Sequence, residues 1–330
     1  MTLEKLRILD LMTLPDEPYY EFWEGHMDYN RFEILRAGTE PENIICEYVK
    51  DADILLSDPY HRTHVTTKII EAAEKLKLIQ CYTIGFDDID IETAREKGIP
   101  VANNAGITAK PMAEYTIMAA MYLLKSIKYA HENLMKGNWT QKQLSTPPEI
   151  PLELGSQTFG IIGCGNVGQE IARVANTFGC RIIYHNRNQL PEEVEKALNL
   201  EYLSREEVLS KSDILSINVP LTDETRDMIG VKELGSMKKG SVLINTSRGG
   251  IVDEKALADA LMSGHLRGAA VDVFKDEPDL SGCALIGLDN VLLTPHSSAI
   301  SPDIFVRAAK YTMENLNRIY EGKPPLRIVN

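Results

Sequence analysis

Three side chains suited to acid–base and anion-binding chemistry stand just after three short apolar segments: Arg248, Glu277 and His296. A histidine can donate and take back a proton, and a carboxylate beside it stabilises the charged imidazole. An arginine can hold a carboxylate through two parallel hydrogen bonds and can also polarise a carbonyl group. Reduction of a 2-keto acid uses all three functions, because negative charge develops on its carbonyl oxygen.

Each of these groups also has a plainer interpretation. Arg248 could be a surface ion-pair partner, Glu277 lies in the acidic stretch 276–279, and His296 could cap a strand end. However, residues that follow successive parallel strands gather at one edge of a sheet, and ligands bind at that edge. The occurrence of all three at strand ends therefore favours a shared site.

A glycine-rich loop predicts a dinucleotide as the partner in this chemistry. The apolar segment 158–162 runs into a GxGxxG pattern and then into a helical segment; the loop comprises Gly163, Gly165, Asn166, Val167 and Gly168. Such glycines permit a tight turn, close approach of a pyrophosphate, and close packing of helix on strand. The phosphates then lie at the helix N-terminus, where free amides favour anions. Methyltransferases bind another cofactor on a similar loop, so the loop alone does not identify the ligand.

The end of the next apolar segment, 181–184, bears on the choice between NAD and NADP. An acid at this place accepts hydrogen bonds from the ribose hydroxyls of NAD, whereas an arginine accommodates the 2′-phosphate of NADP. Asn186 stands where the acid would be expected, and Arg187 follows it. The sequence therefore favours NADP, and NAD is the alternative if Arg187 is only a solvated surface residue.

Short apolar strands alternate with helical segments along the whole chain, which predicts an α/β protein with doubly wound parallel sheets. The first third contains five predicted strands, at 8–12, 43–46, 53–56, 78–81 and 99–103. A long helix is predicted over 111–134, and a proline-rich linker follows it. The second series contains six predicted strands, at 158–162, 181–184, 213–218, 241–245, 268–273 and 291–294.

The composition is that of a globular protein with an acidic surface. The 330 residues are 44% hydrophobic and carry a formal net charge of −13. An acidic surface repels nucleic acid and anionic lipid, so neither nucleic acid nor a membrane is expected as a partner. The five cysteines show neither disulfide nor zinc-site spacing, and no signal peptide or membrane span is evident. A reduced, cytoplasmic protein without a metal site is therefore expected.

The ordered motifs of the chain resemble those of the D-isomer-specific 2-hydroxyacid dehydrogenases, and especially the glyoxylate and hydroxypyruvate reductases among them. The resemblance covers nearly the whole chain. It rests on the glycine loop, on the segments 219–225, 245–250, 252–257 and 268–273, on Glu277-Pro278 and on Thr294-Pro295-His296.

The resemblance implies roles for particular residues. Arg248, Glu277 and His296 would form a catalytic triad, and Asp272 would orient the nicotinamide carboxamide. The substrate, a small anionic 2-keto or 2-hydroxy acid, would be held by Arg248 and by the backbone amides of the segment formed by Thr83, Ile84 and Gly85. The cofactor contacts implied outside the glycine loop are Asn186, Arg187, Val219, Pro220, Thr225, Thr246, Ser247 and Asp272.

The resemblance also implies an architecture. A Rossmann cofactor domain, residues 106–299, would be inserted into a flavodoxin-like substrate domain formed by residues 1–105 and 300–330. Proteins of this kind are usually homodimers built through the cofactor domain, and a homodimer is expected here.

One departure from the pattern concerns the substrate, and two other functions share the same motifs. Phosphoglycerate dehydrogenases carry an arginine just before the substrate loop, whereas Cys81 stands at that place here. A phosphorylated substrate is therefore not expected. The alternatives are a phosphite-type dehydrogenase with the same triad, and a non-enzymatic, corepressor-like protein that binds the nucleotide to control a partner.

Overall fold

The computed structural model describes residues 5–60 and 62–330, and the chain divides into two compact units. The first unit comprises Met1–Thr108 and Ser301–Asn330, and the second comprises Ala109–Ile300. The second unit is thus inserted between two segments of the first. The division falls at 108/109 and 300/301, where the sequence predicts 105/106 and 299/300.

The first unit is built on a five-stranded parallel sheet with the order β2-β1-β3-β4-β5. The strands are β1 (Leu6–Asp10), β2 (Phe32–Arg36), β3 (Ile54–Leu56), β4 (Leu78–Gln80) and β5 (Val101–Ala102). The helices are α1 (Asp16–Trp23), α2 (Glu42–Val49), α3 (Thr67–Ala72), α4 (Ile91–Glu96) and the C-terminal helix Pro302–Tyr320. One hydrophobic core joins α1 and the C-terminal helix to one face of the sheet, and a second core joins α2, α3 and α4 to the other.

The second unit is built on a seven-stranded parallel sheet with the order β12-β11-β10-β9-β6-β7-β8. Its strands are β6 (Thr158–Ile162), β7 (Arg181–His185), β8 (Leu200–Tyr202), β9 (Ile214–Ile217), β10 (Val242–Asn245), β11 (Gly268–Val271) and β12 (Val291–Leu293). Its helices are α5 (Ala109–Leu124), α6 (Ile127–Met135), α7 (Asn166–Thr177), α8 (Glu192–Leu198), α9 (Arg205–Lys211), α10 (Val231–Ser236) and α11 (Glu254–Met262), with 3-10 turns at Gln143–Ser145 and Leu154–Ser156.

The strand order of the second unit determines where a ligand can bind. The chain progresses outward from β6 through β7 to β8, and then returns to β9 on the other side of β6. This reversal opens a crevice at the carboxyl ends of β6 and β9, which is the general ligand site of doubly wound sheets. The loops after β10, β11 and β12 leave the same edge, because all these strands are parallel.

Two of the predicted elements are wrong. The segment 43–46 belongs to helix α2, in which Ile45 and Val49 are both buried one turn apart, so its apolar residues follow a helical period. Two strands are missing from the prediction: β2, an edge strand whose Glu33 and Arg36 interrupt the apolar pattern, and β8, an edge strand without a buried residue. The helix predicted over 111–134 is two helices, α5 and α6, separated at Ser126, whose φ of 53° is left-handed. Within the described residues, every helix falls short of the length or hydropathy that a bilayer-spanning segment requires.

Candidate active site

The glycine loop after β6 has the conformation that its sequence predicts. Gly163 has a φ of +93°, and a Cβ added there would lie 2.5 Å from the backbone oxygen of Asn218. A Cβ on Gly168 would lie 2.6 Å from the backbone oxygen of Gly163. The first glycine is therefore needed for the turn, and the third for close packing of α7 on the loop.

The middle glycine is different, because its open side faces no protein atom. Gly165 is the N-cap of α7, and a Cβ added to it would meet nothing within 4 Å. Asn166 and Val167 form the first turn of α7, where backbone amides have no intrahelical partner. These amides and the helix dipole make a positive environment over Gly165, which suits a pyrophosphate. The loop thiol of Cys164 adds no negative charge, since burial raises its pKa to about 12.

Asn186 and Arg187 lie at the carboxyl end of β7, beside the glycine loop. The side chain of Asn186 accepts a hydrogen bond of 2.6 Å from the backbone amide of Cys164. This bond holds the turn of the loop. The amide side chain of Asn186 is neutral, so it would not repel a 2′-phosphate. Arg187 is exposed, and its guanidinium lies 3.7 Å from the carboxylate of Glu224, a weak surface pair.

Two buried polar atoms at the crevice have no hydrogen-bond partner among the described residues. They are Oδ1 of Asn218, just after β9, and Oγ1 of Thr246, just after β10. An unpaired buried polar atom costs free energy, so such atoms at a ligand-binding edge fit a polar ligand. The residues of this edge therefore fit a dinucleotide. The sequence motifs do not single out Asn218, although its place directly after the strand at the point of reversal marks it as a candidate.

The segment 219–225 forms a turn against the glycine loop. A Cβ added to Gly163 would lie 2.8 Å from Cγ1 of Val219. Thr225 closes the turn, since its hydroxyl donates to the backbone oxygen of Pro220 at 2.6 Å and accepts from the amide of Thr222 at 2.7 Å. Val219, Pro220 and Thr225 are thus placed beside the crevice by one compact hydrogen-bonded turn.

His296 and Glu277 form a hydrogen-bonded pair. Nδ1 of His296 lies 2.8 Å from Oε2 of Glu277, and Oε1 of Glu277 accepts a bond of 2.7 Å from the amide of Phe274. The carboxylate is therefore fixed on one side by backbone and on the other by the imidazole. His296 has a left-handed φ of 51°, an uncommon conformation for a residue with a Cβ. Its side chain is half exposed, so Nε2 has access to a ligand.

Asp272 fixes the backbone that carries His296. It is fully buried after β11, and its Oδ1 accepts hydrogen bonds from Thr294 Oγ1 at 2.5 Å and from the amide of Ser297 at 2.8 Å. Oδ2 accepts from the amide of Ser298 at 2.9 Å, and the hydroxyl of Tyr115 on α5 lies 2.6 Å from Thr294 Oγ1. The resulting network explains how the strained turn at His296 is held. The part played by Tyr115 carried no signal in the sequence.

Arg248 lies in a turn that Asn245 stabilises. Oδ1 of Asn245 accepts from the amide and the hydroxyl of Ser247, at 3.1 and 2.8 Å, and Nδ2 donates to the backbone oxygen of Arg248 at 3.1 Å. A Cβ added to Gly249 would lie 1.9 Å from the backbone oxygen of Phe274. The arginine turn therefore packs, backbone against backbone, on the loop that carries Glu277.

Thr83, Ile84 and Gly85 belong to the first unit and follow β4. The backbone oxygens of Thr83 and Ile84 accept hydrogen bonds from the amide of Asn104 at 3.0 Å and from Nδ2 of Asn103 at 2.8 Å. The hydroxyl of Thr83 donates to the backbone oxygen of Gly85 at 3.1 Å. The carbonyl groups of this loop are thus engaged within the unit. Among residues 5–60 and 62–330, no group of three or more metal-ligating side chains is arranged to hold a metal ion.

Comparison with known proteins gives a consistent set of relatives. Residues 117–298 match the family described as "D-isomer specific 2-hydroxyacid dehydrogenase, NAD binding domain". A glyoxylate reductase of Korarchaeum cryptofilum is 37% identical over 88% of this chain and 86% of that protein. A D-3-phosphoglycerate dehydrogenase of Methanocaldococcus jannaschii is 36% identical over 90% of this chain and 55% of that protein. The crystal structure of a glyoxylate reductase from Paecilomyes thermophila has a TM-score of 0.83 and 28% identity, and the match covers 99% of both chains.

Proposed function

This chain belongs to the D-isomer specific 2-hydroxyacid dehydrogenases, and we propose that within the family it reduces glyoxylate or hydroxypyruvate with NADPH. It is an oxidoreductase that transfers a hydride between a nicotinamide cofactor and a small 2-keto acid. The observation that carries the proposal is the His296–Glu277 pair, held on the same packed loops as Arg248 at the ligand-binding edge of the cofactor unit.

The pairing assigns a role to each nitrogen of the imidazole. An ionised Glu277 only accepts hydrogen bonds, so Nδ1 carries a proton and Nε2 is left to act on the substrate. Nε2 donates its proton to the carbonyl oxygen in reduction and takes it back in oxidation. Glu277 stabilises the charged imidazole, and Arg248 holds the carboxylate and polarises the carbonyl group. A nicotinamide bound at this edge would supply the hydride to the C2 atom of the substrate.

The remaining assignments concern binding. Arg248 binds the substrate carboxylate, and the motifs of the family assign carboxylate binding also to the amides of the loop formed by Thr83, Ile84 and Gly85. Asp272 orients the nicotinamide carboxamide. Thr246 and Ser247, on the arginine turn, also contact the cofactor. These assignments are supported by the motifs of the family, and for Thr246 also by its unpaired buried hydroxyl.

NADP is the proposed cofactor because of the end of β7. Asn186 is neutral and engaged with the glycine loop, while Arg187 is exposed and only weakly paired with Glu224. Arg187 can therefore turn to a 2′-phosphate at little cost. An acid that would bind the ribose hydroxyls of NAD is replaced at this place.

An unphosphorylated substrate is proposed because of Cys81, which precedes Tyr82 and the substrate loop 83–85. Cys81 is buried, and burial raises the pKa of its thiol to about 12, so the side chain is neutral. A neutral buried thiol offers no charge to a phosphate group. This argues for glyoxylate or hydroxypyruvate over the phosphorylated substrate named for the Methanocaldococcus jannaschii relative.

A homodimer is proposed because of the surface around α6. This helix contributes no buried residue, and its Leu134 and Met135 are 57% and 75% exposed. Trp139, just beyond the helix, is 75% exposed. Contiguous exposed apolar residues of this size mark interaction sites, and a second copy of the chain is the proposed occupant.

The five free cysteines support a reducing, cytoplasmic location.

The test is the oxidation of NADPH and of NADH with a panel of glyoxylate, hydroxypyruvate, pyruvate and phosphorylated 2-keto acids. We expect the highest kcat/KM with NADPH and an unphosphorylated two- or three-carbon acid. His296→Ala should lower kcat by roughly 100-fold or more. His64→Ala, at an exposed histidine, is the matched control and should leave kcat unchanged. Tight NADPH binding without turnover of any acid would refute the proposal.

A further inference from the structure

A buried carboxylate lies at the end of β1, in the first unit, and none of the functions above uses it. Asp10 is fully buried. Its Oδ1 accepts a hydrogen bond of 2.9 Å from the amide of Met12. Its Oδ2 accepts two hydroxyl groups, from Tyr19 on α1 at 2.9 Å and from Tyr82 at 2.7 Å. Burying a carboxyl group this deeply costs free energy unless its hydrogen bonds are kept. The cluster of Asp10, Tyr19 and Tyr82 is therefore a rigid part of the unit.

Tyr82 connects this cluster to the substrate loop, because Thr83 is the next residue. Tyr82 is 2% exposed, and its ring lies in edge contact with Phe22, at 5.4 Å between ring centres. Its hydroxyl reaches Asp10, while its backbone oxygen accepts a bond of 3.0 Å from Nδ2 of Asn104. The side chain is therefore anchored in the core, and the backbone that leaves it enters the loop.

Tyr19 makes the same bond without this connection. It lies on α1, its hydroxyl donates to the same oxygen of Asp10, and the guanidinium of Arg36 lies 4.0 Å from its ring centre. Tyr19 is thus chemically equivalent to Tyr82 at the carboxylate, but it belongs to a helix far from the loop in sequence. Removing the hydroxyl of Tyr19 is therefore a matched control for removing the hydroxyl of Tyr82.

We propose that Asp10 and Tyr82 are positioning residues for the substrate loop 83–85, and that the bond between them sets the affinity for the 2-keto acid. The assignment rests on the proposed function, which gives the loop amides to the substrate carboxylate. Loop amides that bind a carboxylate act on the ground state and the transition state alike, so misplacing them raises KM and leaves kcat nearly unchanged.

The test compares Tyr82→Phe with Tyr19→Phe in the full chain. Each variant removes one hydroxyl from the same oxygen of Asp10. We expect Tyr82→Phe to raise the KM for the 2-keto acid about threefold to tenfold, which corresponds to the loss of one hydrogen bond, with kcat and NADPH affinity unchanged. Tyr19→Phe should leave KM within about twofold of the wild type.

A second measurement does not depend on turnover. Hydrogen exchange at the amides of residues 83–85 should become faster in Tyr82→Phe and stay unchanged in Tyr19→Phe. Equal KM changes in the two variants, or none in Tyr82→Phe, would overturn the positioning role. Absence of wild-type turnover on every 2-keto acid would instead overturn the proposed function and, with it, this assignment.

Discussion

Replacing Gly165 by alanine separates cofactor binding from folding. A Cβ at this position meets no protein atom within 4 Å, and the φ of −80° is one that any residue adopts. The neighbouring Gly168 provides the contrast, because a Cβ there would lie 2.6 Å from the backbone oxygen of Gly163. The two substitutions add the same methyl group to the same loop with opposite structural consequences.

The magnitudes follow from these contacts. Gly165→Ala should change the free energy of unfolding by less than about 1 kcal/mol, as expected for a glycine-to-alanine change at an N-cap. Its methyl group would stand between the loop amides and the pyrophosphate. Loss of one amide–phosphate hydrogen bond costs about 1.5–3 kcal/mol for a charged partner. This loss raises the Kd for NADPH by roughly 10- to 150-fold. Gly168→Ala should destabilise the protein by about 1–3 kcal/mol through overpacking.

The assay combines NADPH fluorescence titration with urea denaturation of wild type, Gly165→Ala and Gly168→Ala. We expect a folded Gly165→Ala protein that binds NADPH poorly. A fully stable Gly165→Ala protein whose Kd for NADPH stays within about twofold of the wild type would show that the pyrophosphate does not lie over this glycine.

Three further predictions concern charge. Glu277→Gln replaces a charged partner of His296 by a neutral one and should lower kcat about tenfold, measured by steady-state kinetics; an unchanged kcat would contradict the pairing. Arg187→Ala should lower kcat/KM for NADPH about tenfold and leave that for NADH unchanged; equal losses would refute NADP selection. Burial raises the pKa of Asp10 from 3.8 to about 6, so the folded state favours its protonated form. Its stabilising contribution is complete below the unfolded pKa and is lost as the pH rises through about 6. Relative to Asp10→Asn, the wild type should therefore lose about 3 kcal/mol of its free energy of unfolding between pH 3.8 and about pH 6, as measured by urea denaturation. Parallel pH curves for the two proteins would contradict the assignment.

The strands of the second unit could be predicted because both faces of its sheet are covered. Such strands are continuous apolar runs between turns, and 158–162 and 291–294 overlap β6 and β12 almost completely. Two of the four edge strands, β2 and β8, escaped prediction because their apolar residues are interrupted or only partly buried. β2 carries Glu33 and Arg36, and β8 has no buried residue, so neither shows an apolar run.

The contacts within the candidate site were predictable only in part. Residues that follow neighbouring parallel strands must emerge at one edge, which is why the pairing of Glu277 with His296 could be anticipated. The support from Tyr115 could not, because it depends on how α5 packs across the sheet. Likewise, Tyr19 reaches Asp10 only through packing of α1 on the sheet of the first unit, and the bond from Tyr82 to Asp10 joins the ends of two strands that are distant in sequence.

The arrangement of the reacting groups is tested by the crystal structure of the complex with NADP and oxamate, a 2-keto acid analogue that accepts no hydride. We expect Nε2 of His296 about 3 Å from the oxygen that replaces the keto oxygen. The guanidinium of Arg248 should contact the carboxylate, and the C4 atom of the nicotinamide should face the central carbon. An analogue bound away from His296, or a nicotinamide directed away from the His296–Glu277 pair, would contradict it.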